Sequence, residues 1–349
     1  MIKSRTIIAT PPGYTIKEQL EQRGMTQKEF AFRMDMSEKH ISHLINGEVR
    51  LTPNVAVRLE AVLGVPSEFW NNLEAIYQSK KQKAEEENAM DADIEIMKKM
   101  PYSEIAKLGW IEFANRAAEK VKKLRRFFEV AYLTIIDRTP LTGIAYRILG
   151  SKTKSKYVKA VWVQKARLTA RERKVSGINL QGLSSKLSEL RELMFSPEDE
   201  LFIRLSEILS ECGIAFVMLP ALKGSFLHGA SFIDGKKIVM ALTLRGNYAD
   251  KFWFSFFHEI GHILKGHIAQ TEGLTQVEEQ EADEFSENIL IPLDLYKKFV
   301  KADNFNVSSV KEFADRVNVD AGVVVGRLQT EGHIGFDEMN SLRKQYHYA

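Results

Sequence analysis

Phe252–His267 reads FWFSFFHEIGHILKGH, and two histidines four residues apart, His258 and His262, lie within it. On a helix, residues at that spacing differ by roughly 40° in azimuth, so both imidazoles leave the same face. Two neutral ring nitrogens can then close on one zinc ion at about 2.0–2.1 Å. Glu259, one position along, reaches a water held by such an ion and can take its proton. Chance predicts roughly 0.02 such His-Glu-x-x-His patterns in a chain of this composition. Phe252, Phe256, Ile260 and Ile263 or Leu264 supply an apolar face that buries the helix and excludes bulk water. The competing reading is a core helix whose histidines only hydrogen-bond. It is disfavoured because two histidines and a glutamate are costly to bury without a partner.

A catalytic zinc site needs a third protein ligand. His267 is five residues past His262, about 140° round the helix, and points away. The metzincin extension would need Gly at 265 and His at 268, where Lys265 and Ile268 stand. A carboxylate from the next helix is the other solution, and EEQEADEFSENIL (278–290) offers it. Ala282, Phe285 and Ile289 form its buried stripe. Glu281 sits at the edge, and Glu278 lies one turn earlier on nearly the same face. His228 and Tyr296 are candidates for stabilising an oxyanion.

The second decisive stretch is TQKEFAFRMDMSEKHISHLING (26–47). Thr26 can cap a helix starting at Gln27, with Phe30, Ala31 and Met34 inward. Asp35-Met36 makes a turn, Ser37 caps a second helix anchored by Ile41 and Leu44 or Ile45, and Gly47 ends it. This is a helix-turn-helix layout. The second helix exposes Ser37, Glu38, Lys39, His40 and His43 toward base edges, while Gln27 meets a phosphate or base.

The remaining chain sets the frame. It has 349 residues, a length of roughly two or three domains, with 44% apolar and 27% charged residues, as a soluble globular protein has. One cysteine, Cys212, excludes an internal disulfide framework and multi-cysteine metal sites. No apolar run spans a membrane and the N-terminus is no secretory signal, so the cytoplasm is the expected location. Net charge is +1 over 1–80, +10 over 81–175 and −8 over 176–349, which argues for separate units. Residues 79–95 read as a linker or an exposed helix extension. Residues 103–136 and 157–174 carry helical spacing, the first through Ile105, Leu108 and Ile111. Pro140, Gly143 and Gly150 mark a partly looped 137–155. GIAFVML (213–219) and KIVMALTL (237–244) read as strands, and helices resume from 249. The basic run from Lys152 and Lys154 to Lys174, with Tyr157 and Trp162 interleaved, could touch nucleic acid, although Trp162 in such a helix more often packs in a core.

Two resemblances sharpen this reading. PPGYTIKEQLEQRGMTQKEFA, HISHLINGE and LTPNVAVRLEAVLGVPSEFWNNLEAIY resemble the Cro/C1-type fold, and within it the HigA antidote group. Asp35 stands where that family commonly has Gly. HEIGH, then EADEF (281–285) and ILIP (289–292), resemble the ImmA/IrrE metallopeptidases over roughly 200–330, with Ser286 in place of the usual Ala. The resemblance implies a gluzincin-like zinc site with His258, His262 and Glu281 as ligands, Glu259 as base and Asp283 as a partner of a ligand histidine. Manganese is the other candidate ion. It also implies a protein substrate, typically a repressor or regulator.

The expected architecture is mainly α with a small β-sheet. It comprises an all-α helix-turn-helix domain over 11–78, a helical basic connector over 79–199 and an α+β metallopeptidase domain over 200–330. The expected protein is a regulator that binds double-stranded DNA, as a homodimer, and cleaves a regulatory protein. The alternative is an antidote-type repressor whose peptidase-like half is a sensor or partner-binding module with little hydrolysis.

Overall fold

The computed structural model describes residues 1–138, 153–225, 227–269 and 275–347. The chain divides into two compact units, Met1–Ile96 with Arg116–Val121, and Met97–Asn115 with Lys122–Ala349.

The first unit opens with a short antiparallel pair, β1 (Ile2–Lys3) and β2 (Ile8–Ala9). Five helices follow: α1 (Gly13–Gln22), α2 (Gln27–Arg33), α3 (Glu38–Asn46), α4 (Pro53–Leu63) and α5 (Ser67–Met97). Their ends are where the capping chemistry puts them. Thr26 accepts from Glu29 N (3.1 Å) and Ser37 from His40 N (3.2 Å), and Gly47 closes α3 at φ 73°. Asp35 holds the turn at φ 52°, a left-handed conformation that Asp tolerates better than most residues. Arg58 of α4 secures that turn by donating to the carbonyls of Met34 (2.9 Å) and Asp35 (3.0 Å). Ile16, Phe30, Ile41, Leu59 and Trp70 are fully buried at the centre of this unit. The 79–95 stretch is a helix extension, the later part of α5. Its Glu87 accepts from Ser4 Oγ, Thr6 N and Thr6 Oγ1, which ties the β1–β2 segment to α5.

The second unit holds α6 (Tyr102–Lys107), the later part of α7 (Ala117–Phe128), α8 (Ile135–Arg138), α9 (Thr153–Arg171), α10 (Leu180–Ser185), α11 (Leu187–Glu192) and α12 (Glu198–Glu211). Then come β3 (Ile214–Met218), β4 (Gly229–Asp234), β5 (Lys237–Leu242), α13 (Ala249–Leu264), α14 (Gln276–Leu290), α15 (Leu293–Lys301), α16 (Val307–Val317) and α17 (Ala321–Thr330). The sheet order is β3-β5-β4, with β3 parallel and β4 antiparallel to β5, so β4 is an edge strand. The aromatic side of α13 is its anchor: Phe252, Trp253, Phe256 and Phe257 are each at most 2% exposed.

The structure amends several expectations. Helical spacing over 103–136 is interrupted. Leu108, part of that helical spacing, follows the end of α6 at Lys107 and is 40% exposed. The 79–199 stretch is no unit of its own, because Leu183, Leu190, Leu193 and Met194 share one core with Phe252 and Phe256. A basic helix surface says nothing about what its apolar face packs on. That core also runs past residue 330, since Tyr346 is fully buried and accepts from Trp253 Nε1 at 3.0 Å. Trp162 and Tyr157 are buried too, with Trp162 Nε1 donating to the Pro220 carbonyl, so neither can stack on a base. Arg167 and Arg171 of the basic run pair with Asp234 and Glu129. Pro140, Gly143, Gly150 and Lys152 and the Lys154 side chain lie outside what is described. Among the described residues, no helix is long and apolar enough to cross a membrane.

Ser37 is half of the turn's capping chemistry. Ser37→Ala is expected to cost about 1 kcal/mol. The readout is roughly fivefold faster hydrogen exchange of the α3 amides, restored by Ser37→Asp.

Candidate metal centre and nucleic-acid interface

α13 and α14 pack without a spacer. A Cβ on Gly261 would stand 3.1–3.3 Å from Phe285 and Ala282, so this crossing leaves little room for a larger residue. The close approach lays the polar edge of α14 across His258 and His262. Their Nε2 atoms are 3.0 Å apart, and a Glu279 carboxylate oxygen lies 3.4 Å from the first and 3.8 Å from the second. Among the described residues, His258, His262 and Glu279 form the only group of three or more such donors with metal-holding geometry. Donors about 2.0–2.1 Å from a tetrahedral ion lie roughly 3.3–3.4 Å from one another, so a zinc-sized ion fits this set with small adjustments.

The carboxylate that stands with the two histidines is therefore Glu279, and the expectation that Glu281 would do so is corrected. At about 100° per residue, Glu281 lies roughly 100° to one side of Ala282, while Glu279 and Asp283 lie roughly 60° and 100° to the other. The histidines face the second edge. Glu281 instead approaches His267 Nε2 (3.2 Å) and Lys265 Nζ (3.6 Å). Glu278 is used at the helix start, where its carboxylate accepts from Thr275 N and Oγ1 and completes a capping box. His267 is not remote after all. α13 ends at Leu264, and the chain turns so that His267 Nδ1 comes within 3.0 Å of His262 Nδ1.

Asp283 accepts from His258 Nδ1 at 2.8 Å. Burial would depress His258, but hydrogen bonds to Asp283 and Glu279 and the charge of Glu259 outweigh it and push its pKa up to about 10. His258 and His262, whose Nε2 atoms lie 3.4 and 3.8 Å away, hold the Glu279 carboxyl well below the usual carboxylate range, His258 by donating a hydrogen bond. A divalent ion held here would have to displace the proton on His258 Nε2. Glu259 is buried beside the trio, and β4 makes room for it: a Cβ on Gly229 would stand 2.9 Å from Glu259 Oε1. All of this opens into a cleft of about 720 Å³ whose lining includes His228, Phe232, Arg327 and Arg343. His228 is held below its ordinary pKa by burial and by the charges of Arg245 and Lys251. Tyr296 is not in that lining. Its hydroxyl donates to Glu331 under the Arg327 guanidinium.

In the first unit, Gln27, Ser37 and Lys39 are exposed, and His40 and His43 half-buried, at the start of α2 and along α3. Ser37 is already engaged as the cap, and His43 Nδ1 is in short contact with the Glu48 carboxylate. Lys39 and His40 lie beside them on the first turn of α3.

The helix-turn-helix family model matches residues 16–70, α1 to the start of α5. An uncharacterised helix-turn-helix-type transcriptional regulator of Escherichia coli, YddM, is 35% identical over 63 residues, which is 18% of this chain and 67% of that protein. The chain belongs to the helix-turn-helix family of transcriptional regulators. Antitoxin HigA-1 of Vibrio cholerae is 46% identical over 57 residues, 16% of this chain and 53% of that protein, so the chain spans about half its length. A HigA-family addiction-module antidote protein of Coxiella burnetii is 27% identical across 21% of this chain and 80% of that one, with a TM-score of 0.20. The family likeness is carried by the DNA-binding unit, residues 16–70 of this regulator.

Glu279 was legible in principle. Two carboxylates one turn apart, Glu279 and Asp283, mirror two histidines one turn apart on the neighbouring helix. Strand β4 also had a signal, Asp234-Gly235 between apolar runs, which is hairpin chemistry. Arg343 and Asp250, a buried pair at 2.7 Å in the cleft wall, had none, because they are 93 residues apart. Glu279→Ala is expected to abolish stoichiometric zinc uptake at micromolar metal, as measured by metal analysis after gel filtration.

Proposed function

We propose that this regulator carries a divalent-metal-dependent endopeptidase in its second unit, of gluzincin-like design, acting on a repressor or other regulatory protein. The observation that carries the reading is the convergence of His258 Nε2, His262 Nε2 and a Glu279 oxygen, 3.0–3.8 Å apart, beside the buried Glu259 in an open cleft. His258, His262 and Glu279 would hold zinc, or manganese in its place. The ion would supply Lewis acidity, making water acidic enough to ionise near neutral pH and polarising a peptide carbonyl.

The chain's own groups do the rest. Glu259 takes the proton of the attacking water and returns it to the leaving amine. Asp283 fixes the orientation of His258. Gly229 keeps the edge strand clear of Glu259, and the low pKa of His228 keeps its imidazole neutral at the cleft wall, able to donate one N–H. The cleft is open, so an extended polypeptide is a fitting occupant. The helix-turn-helix unit would bring this cleft to an operator, as a homodimer on paired half-sites.

The similarity to HigA-type antidotes over the first unit favours a second reading. In it, the chain is a repressor whose second unit senses a signal or binds a partner. Glu259→Gln separates the two. Under the peptidase reading, this variant retains zinc but loses cleavage by at least about a hundredfold, the scale of general-base catalysis. An unaltered regulatory response in cells carrying it would leave the antidote reading. For the DNA-binding unit, Lys39→Ala with His40→Ala is expected to weaken operator binding by about 1–3 kcal/mol per lost base contact in a gel-shift titration at fixed salt.

A further inference from the structure

His262 is 1% exposed and its two ring nitrogens have different neighbours. Nε2 faces His258 and Glu279, and Nδ1 faces His267 Nδ1 at 3.0 Å. The second ring nitrogen of His267, Nε2, lies 3.2 Å from Glu281 Oε2. The line from Glu281 through His267 to His262 therefore has a direction. A carboxylate only accepts, so the proton of a neutral His267 sits on Nε2. Its Nδ1 then carries a lone pair and must accept, so His262 Nδ1 donates. A neutral His262 with its proton on Nδ1 has its lone pair on Nε2, which lies 3.0 Å from His258 Nε2, while the Glu279 carboxylate at 3.8 Å is too far to accept from it.

We infer that Glu281 and His267 are positioning residues that select the metal-binding tautomer of His262. This inference rests on the metal-dependent reading of the cleft. Lys265 makes the selection depend on Glu281. Its Nζ is 3.6 Å from the same carboxylate oxygen that His267 approaches. With the carboxylate gone, the ammonium is left as a donor near His267 and favours a lone pair on His267 Nε2. The proton then moves to His267 Nδ1, His262 Nδ1 becomes the acceptor, and His262 Nε2 carries a hydrogen where the ion must bind. Partners of ligand histidines are typically worth 10–100-fold in metal affinity.

The test is zinc affinity by chelator competition on the full chain, together with imidazole 15N–1H correlation spectra of the metal-free protein. Wild type is expected to show His262 protonated on Nδ1. Glu281→Ala is expected to populate the Nε2–H form and bind zinc about 10–100-fold more weakly. His267→Phe keeps the ring volume without an acceptor and is expected to lose as much. His267→Gln, whose amide oxygen can accept from His262, recovers most of it, which lost packing alone would not do. Glu281 is 44% exposed at its side chain, so Glu281→Ala gives a folded sample even if His267→Phe does not. Unchanged affinity and tautomer in Glu281→Ala overturns this inference alone. Failure of the wild-type chain to take up zinc overturns the metal-dependent reading with it.

Discussion

The second unit depends on one contact, the crossing of α13 over α14 at Gly261 and Ala282. Because neither residue has a side chain beyond a methyl group, the helices approach closely enough for one edge of α14 to lie across the imidazoles of α13. A larger side chain at 261 would push Phe285 and Ala282 away and separate Glu279 and Asp283 from His258 and His262. Four polar side chains are thus arranged by one small-residue contact, while the aromatic side of α13 fixes the helix in the core.

Some of this was readable in the linear chain. His258 and His262 share a face because the helical repeat demands it, and the structure brings their Nε2 atoms within 3.0 Å. The caps at Thr26 and Ser37 and the turn at Asp35 were equally local, and they lie where their chemistry puts them. The carboxylate was the non-local part. A buried helical stripe has two edges, and periodicity does not say which one meets the neighbour. Glu281 and Glu279 flank the same stripe, and only the crossing geometry separates them. Helical azimuth does not locate His267 for a related reason, because α13 ends at Leu264 and the chain turns before reaching it. The Asp250–Arg343 pair depends on the chain folding back near its end, which no local pattern encodes.

The two units use charge differently. The DNA-binding head is nearly neutral and keeps Glu29 paired with Arg33 and Glu48 against His43 on its exposed helices. A nearly neutral surface attracts phosphate only weakly, so little of its affinity would come from non-specific charge. In the second unit, the negative groups of α14 are concentrated at one cluster of histidines. There they stabilise positive charge, whether a proton on His258 or a divalent ion in its place.

Zinc-edge X-ray absorption on the purified, metal-loaded chain addresses the central claim most directly. The account predicts two imidazole nitrogens and oxygen donors at about 2.0–2.1 Å and no sulfur, since Cys212 is buried apart from this cleft. A first shell that contains sulfur, or one with oxygen alone, would contradict it.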